Sequence, residues 1–305
     1  MKDIHFNYQK VKRKYLKFLS SQEIMSEPFR DKLKQLNKFY LPISKMIKDE
    51  YIKEKKTKII GLTGGQGTGK STISNILKII LKEAYKLETV IFSIDDFYKT
   101  LREREKMSKK IHFLFLTRGV PGTHDTQMLF QCIKNLKKDK FKKLTIPKFD
   151  KSIDNRSSKD KWLKVKKKPN IVIFEGWCVG ATAQKNKDLN FPINKLEKQE
   201  DSKKIWRRKV NSELKKSYKK IFNLIDKLIF LKVPSFEYVF KWRLLQEKKL
   251  RVTGKGNKTM TDEQIKKFVM YYERITKHML KTLSKKANTV ISIDDKHRLK
   301  SINFN

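Results

Sequence analysis

The chain has 305 residues and a formal net charge of +42, from 74 basic against 32 acidic side chains. That length allows one large α/β domain or two small ones, with ample material for a core. Only Cys132 and Cys178 are present, far apart and in no C-x-x-C pair, which argues against a disulfide framework or a zinc site and for a reducing compartment.

No apolar run approaches a membrane span, and the N-terminus carries Asp3 and no apolar signal core, so a soluble cytoplasmic protein is expected. The charge alone suggests nucleic acid or another polyanion. The basic residues are spread along the chain, however, and most are lysine, as in a solvated lysine-rich exterior. Nucleic acid is therefore not the expected partner.

Residues 1–55 read as a helical extension packed on the core, and residues 56–305 as the main domain. Thr57 to Leu62 is a short buried strand. It runs into Gly64-Gly65-Gln66-Gly67-Thr68-Gly69-Lys70-Ser71-Thr72, where G-x-x-x-x-G-K-[ST], the phosphate-binding loop, is complete. Ile73, Leu77, Ile80, Leu81 and Ala84 then recur at helical spacing, so a helix leaves the loop. Glycines let several backbone N–H groups point at one phosphate, and the helix N-terminus adds partial positive charge. Lys70 can reach the β- and γ-phosphates of ATP, and the Ser71 hydroxyl can ligate Mg²⁺.

Thr89 to Ile94 is a second strand, ending in Asp95-Asp96-Phe97-Tyr98. A polar helix and the loop Thr117 to Asp125 follow, and a helix near Asp125 buries Met128, Leu129, Cys132 and Ile133. Leu144 to Asp150 is extended, and residues 151–169 read as a lysine-rich loop. Ile171 to Trp177 is a third strand with Glu175 near its end. Residues 185–203 look inserted, and Lys204 to Asp226 reads as a long basic helix. Strands at Lys227 to Val233 and Thr289 to Ile293 bracket a helix from Pro234, a break at Gly254 and Gly256, and a helix capped by Thr261 with Gln264. Alternating strands and helices predict a doubly wound α/β fold: a parallel sheet with helices on both faces.

Ligands of such a sheet bind beyond the carboxyl ends of its strands, which is where the phosphate loop, Asp95, Asp96 and Glu175 all fall. Asp95 is the expected general base for a hydroxyl acceptor. Asp96 either caps the following turn or orders a Mg²⁺-bound water, and Glu175 is expected at the metal. Arg118, His124 and Asp125 share one loop, and Asp150 and Arg156 share another; an arginine grips a carboxylate with two prongs, which suits an anionic acceptor. His124 taken alone reads first as a structural histidine. Arg243, Glu247 and Arg251 fall on one helix face and suggest a lid near 235–260, or an ordinary salt-bridged face. Trp206, Trp242, Tyr271 and Tyr272 read as core packing.

The stretches GLTGGQGTGKST, SIDDFYKT, TRGVPGTHD, PKFDKSIDNR, FEGWCVG, PINKLEKQED, FKWRLLQEKKLR and MTDEQIKKFV resemble, in order, those of the ATP-dependent D-glycerate 3-kinases of the plant and cyanobacterial type and their fungal relatives. These sit within the P-loop kinases that include uridine kinase and phosphoribulokinase. The resemblance covers about residue 40 to the end. It implies transfer of the γ-phosphoryl of ATP to D-glycerate, giving 3-phosphoglycerate, as in photorespiratory salvage. It also implies Asp95 as base, Glu175 as the glutamate of the E-G pair, Arg243 as the lid arginine, Asp125 touching the acceptor, and Asp150 and Arg156 in the loop that shapes its site; Lys70 at the phosphates, Ser71 and Asp96 beside Glu175 at Mg²⁺, and Tyr98, Arg118 and His124 about the acceptor complete the candidate site. A uridine-type kinase would need a stacking acceptor pocket, and a nucleic-acid-associated ATPase is motivated by the charge alone. The absence of N-K-x-D argues against a GTPase.

Overall fold

The computed structural model describes residues 7–23, 28–252 and 260–305. Helix α1 (Tyr8–Gln22) is capped by the Asn7 side chain, which accepts from the Lys10 N–H. Val11, Tyr15 and Leu19 recur every fourth residue and are all buried. Helices α2 (Lys32–Gln35) and α3 (Leu41–Glu54) are joined through a single π turn at Leu36–Tyr40.

Strand β1 (Lys58–Gly64) is buried at every position, as a central strand covered on both faces must be. Helix α4 (Lys70–Tyr85) leaves its loop and returns the chain to β2 (Thr89–Ser93), followed by a 3₁₀ turn at Ile94–Phe97. Next come α5 (Leu101–Lys110) and α6 (Thr126–Lys137). Beyond them, β3 (Leu144–Ile146), β4 (Phe149–Asp150), β5 (Asn155–Arg156) and β6 (Leu163–Val165) pair β3 with β6 and β4 with β5, both antiparallel. Strand β7 (Ile171–Gly176) re-enters the centre. Helices α7 (Lys195–Glu200), α8 (Ile205–Glu213) and α9 (Lys219–Phe222) precede β8 (Lys227–Lys232). Helices α10 (Phe236–Val252) and α11 (Asp262–Lys286) and strands β9 (Thr289–Ile293) and β10 (Leu299–Phe304) complete the fold.

The main sheet has the order β10-β9-β8-β1-β7-β2. The five strands expected from the sequence are all in it and run parallel. Strand β10 corrects the all-parallel expectation: it adds antiparallel to β9 through a tight turn in which Asp294 Oδ1 accepts from the Arg298 N–H at 2.8 Å. Its residues are mixed and half exposed, so nothing in their periodicity announces a strand. Residues 151–169 carry β5 and β6 and are not simply a loop, and the basic helix after Lys204 ends at Phe222, four residues short of Asp226.

Strand alternation divides the core. Ile60, Leu62, Ile171, Ile173, Ile229 and Leu231 meet α1, α3 and α4 on one face. Ile59, Val172, Phe174 and Phe230 meet α6, α8 and α11 on the other. Helix α1 lies against α4, and its Lys10 pairs with buried Glu83 of α4 at 2.9 Å while Lys14 donates to the same carboxylate. Hydrogen bonds from Lys14 and then Lys10 hold the Glu83 carboxyl down to about 2.

Leu19→Ala should lower the unfolding free energy by about 2–5 kcal/mol in urea titrations, through the cavity left between α1 and α4. Glu83→Gln should also destabilise at neutral pH. Because the folded-state value is depressed, the ionised-pair contribution is fully present above about pH 4.5 and disappears as pH falls towards 2. The stability difference from the parent should narrow over that window; a difference independent of pH would assign it to packing instead.

Candidate active site

The loop between β1 and α4 curls through Gly67 (φ +78°) and Gly69 (φ +79°), left-handed conformations that suit glycine. A Cβ on Gly67 would lie 2.8 Å from Cβ of Trp242, so Trp242 of α10 packs directly onto the loop. Thr68 is buried, and its hydroxyl donates to the Gly65 carbonyl at 2.8 Å. Lys70 Nζ donates to the carbonyls of Gly64 at 3.0 Å and Gly65 at 2.9 Å. Burial lowers its pKa, opposed by the charges of Glu175 and Asp95. The amide of Gln66 reaches the Tyr272 hydroxyl. Thr72 is half-buried on the first turn of α4.

Glu175 is buried near the end of β7 and is held by two hydroxyls of α4: Ser71 Oγ donates to Oε1 at 2.7 Å and Ser74 Oγ to Oε2 at 3.0 Å. Among the described residues no three His, Cys, Asp or Glu side chains gather as a metal cage. Ser71 with Glu175 nevertheless supplies hard oxygens of the kind Mg²⁺ takes beside phosphate oxygens and water. The residues fit that ion.

Asp95 and Asp96 lie in the 3₁₀ turn after β2, and their roles diverge. Asp96 is buried, accepts from the Ser93 N–H at 3.0 Å in a capping box, and pairs with Lys148 at 3.0 Å. Asp95 accepts from the Tyr98 hydroxyl at 2.9 Å and pairs with exposed Lys151 at 2.8 Å. Burial pushes the Asp95 carboxyl up, but Lys151, His124 and the Tyr98 hydroxyl outweigh it and bring it to about 2.

Around Asp95 stands an aromatic wall. Tyr98 stacks on His124 with ring centroids 4.5 Å apart and meets Phe149 edge-on at 5.1 Å. His124 is buried, and burial pushes its imidazole down to about 3 despite the nearby Asp95 charge. Its Nδ1 lies 2.5 Å from the Tyr218 hydroxyl, which itself accepts from the Gly122 N–H at 3.0 Å. In the tautomer in which the Tyr218 hydroxyl donates to Nδ1, the ring carries its own proton on Nε2. That Nε2 is buried with no partner among the described residues.

The remaining acceptor-side residues are tied into pairs. Asp125 caps α6 by accepting from the Met128 N–H at 2.9 Å and pairs with Arg156 at 3.1 Å. Arg156 also donates to the Tyr98 carbonyl at 3.0 Å. Arg118 pairs with Asp154 and lies over the Phe149 ring. Asp150 instead turns to Ser152 in its own hairpin, accepting from its N–H at 2.9 Å. Arg243 pairs with buried Glu247 at 2.7 Å and lies over the Phe268 ring. The side chain of Arg251 and the glycines Gly254 and Gly256 fall outside the described residues.

Sequence reasoning missed Lys148, Lys151, Asp154, Tyr218 and Ser74, and it took Tyr272 as core packing only. Tyr272 is buried against Trp177, yet its hydroxyl donates to the Arg118 carbonyl at 3.1 Å and lies beside Gln66. It thereby links the phosphate loop to the acceptor loop. Nothing in the sequence marks this contact beyond the glycine at 119, which at φ +134° leaves room for the Tyr272 oxygen 2.0 Å from where a Cβ would lie.

A sequence model described as the Phosphoribulokinase / Uridine kinase family matches residues 59–211, half of the chain. The uncharacterized kinase mug58 of Schizosaccharomyces pombe is 34% identical over 239 residues, covering 75% of this chain and 83% of that protein. The chloroplastic D-glycerate 3-kinase of Arabidopsis thaliana is 28% identical over 233 residues, 74% of this chain but only 48% of that longer relative. The solved D-glycerate 3-kinase of Cryptococcus neoformans var. grubii superposes with a TM-score of 0.74 over 87% of this chain and 99% of its own, at 22% identity, a likeness of fold.

In ¹⁵N spectra the His124 ring should be neutral with the proton on Nε2, and it should stay so from pH 5 to 8. Tyr218→Phe should release that tautomer into a mixture. A ring that is protonated at pH 6 would overturn the assignment.

Proposed function

The chain belongs to the phosphoribulokinase/uridine kinase family, and we propose that within it the protein phosphorylates D-glycerate to 3-phospho-D-glycerate at the expense of ATP. The single observation that carries the chemistry is convergence: the phosphate loop, the Ser71–Glu175 pair and Asp95 meet at the carboxyl ends of β1, β7 and β2. The motifs shared with the D-glycerate 3-kinases and the identity with the chloroplastic relative support glycerate as the acceptor.

In this mechanism the loop amides and Lys70 hold the triphosphate of ATP, with Lys70 exchanging its carbonyl contacts for phosphate oxygens. Ser71 and Glu175 would hold Mg²⁺, which supplies neutralisation of charge on the β- and γ-phosphates. The acceptor hydroxyl oxygen attacks the γ-phosphorus, the bond to the ADP oxygen breaks, and the hydroxyl proton passes to Asp95. A carboxylate held near pKa 2 is a weak base, so Lys151 has to leave it first. An acceptor bearing both a hydroxyl and a carboxylate, as glycerate does, offers Lys151 a replacement partner while its hydroxyl takes Asp95. Arg243 is assigned to the transferring phosphoryl group.

A second reading, a nucleoside acceptor, is favoured by the Tyr98–His124–Phe149 wall, which could receive a base by stacking.

A coupled ADP-release assay with Mg-ATP should give strong turnover with D-glycerate and little with L-glycerate, uridine, pantothenate or single-stranded DNA. Turnover with uridine alone would replace the first reading by the second. Lys70→Ala and Asp95→Asn should each keep the parent melting temperature and lower kcat by about 10²–10⁴-fold. Near-parental activity of Asp95→Asn would remove Asp95 from its assigned role.

A further inference from the structure

Strand β2 is an edge of the main sheet, and all of Thr89–Ser93 line a groove of about 600 Å³. Five consecutive residues of one strand share a surface only when its edge, not one of its faces, forms that surface. Across the groove lie the consecutive residues Leu163–Lys167, which include all of β6, while no residue of its partner β3 lines it. Two strand edges therefore border one groove.

The backbone polarity of β2 follows from its pairing. The Glu88 carbonyl accepts from the N–H groups of Asn170 and Ile171, and the Glu88 N–H donates to the Asn170 side chain, so residue 88 faces β7. Alternation then turns Thr89 and Ile91 outward, each presenting an N–H and a C=O to the groove. The outward N–H of Ser93 is already taken by Asp96 at 3.0 Å, which closes the row at the end nearest the active site.

The groove is also basic. Lys78, Lys148, Lys164, Lys166 and Lys167 line it, and all are exposed. Of its three carboxylates, Asp96 and Glu175 are engaged by Lys148 and by the Ser71 and Ser74 hydroxyls, which leaves exposed Glu88 facing the five lysines. Lys78, Lys166 and Lys167 form no ion pair among the described residues, so the balance facing a ligand is positive.

We infer that this groove binds an extended acidic peptide of a partner protein, which adds as a strand to the outer edge of β2 while its carboxylates meet the lysines. About five residues in extended form, near 17 Å, match the length of β2. A second copy of this chain would bring its own lysines against these and be repelled. Single-stranded nucleic acid would find the charge but no stacking platform, because the only aromatic lining residue, Phe92, is buried. The inference is independent of which acceptor the kinase uses.

The probe is a fluorescein-labelled peptide of about eight alternating Glu and Thr residues, followed by anisotropy against the full-length protein. Binding should weaken at least about tenfold when alternate peptide amides are N-methylated, and should vanish when Lys replaces Glu in the peptide. Ile91→Pro removes one outward N–H, which an edge strand tolerates, and should weaken binding similarly. Lys166→Glu with Lys167→Glu tests the charge without touching the strand, and should weaken it even if the proline variant does not fold. Equal binding of the N-methylated peptide, or equally tight binding of oligothymidylate or polyphosphate, would reduce the groove to a general polyanion surface and overturn the inference. Absence of binding at millimolar peptide would overturn it as well.

Discussion

Glu175 sits at the end of a strand whose other side chains are apolar, and a carboxylate there is tolerable only if its oxygens are satisfied. The hydroxyls of Ser71 and Ser74, one turn apart on α4, do this together. The consequence is geometric. The central strand β7 is fastened to the first turn of the helix that leaves the phosphate loop, so loop, helix and strand keep one relative position. Gly176, next in sequence, lets the turn bearing Asp95 come close, since a Cβ there would fall 2.5 Å from Ile94 Cγ2. One satisfied carboxylate thus fixes the spacing between the nucleotide side and the acceptor side.

The acceptor side gains its rigidity from the core rather than from its own loop. Trp177 donates its indole N–H to the Gly119 carbonyl at 2.9 Å, and Tyr272 donates to the Arg118 carbonyl. Tyr218 takes the Gly122 amide and meets His124 Nδ1. These are large, buried aromatic side chains on other elements, each spending its single polar group on the loop. Packing that stabilises the fold therefore also holds the acceptor loop.

Charge is distributed by the same logic. Arg118, Arg156 and Arg243 are each matched to an aspartate or glutamate, so the arginines nearest the site are oriented by partners. The exposed Lys151 is instead bound to Asp95 through a long, solvated side chain. An exposed pair of this kind is worth little and can be exchanged at small cost. That asymmetry, paired arginines and a solvated lysine, suits the release of Asp95 that the proposed mechanism requires.

The central strands were legible because β1 and β7 are continuous apolar runs and because Gly64 to Ser71 is a local pattern whose geometry follows from its own glycines and the helix behind it. Asp95 and Glu175 were placed for the same reason: one follows β2 and the other nears the end of β7, and strand ends converge in a doubly wound sheet. Strand β10 was not, since an edge strand half open to solvent needs no apolar period. Nor were the partners of the site residues. That Asp96 caps its own turn, that Lys151 covers Asp95, and that Tyr218 and Tyr272 reach the acceptor loop from 94 and 154 residues away are matters of distance across the fold. Local sequence determined the elements and the phosphate cradle, because those depend on neighbours in the chain. Only the tertiary structure decided protonation, pairing and the open edge of β2, because those depend on groups that sequence order keeps apart.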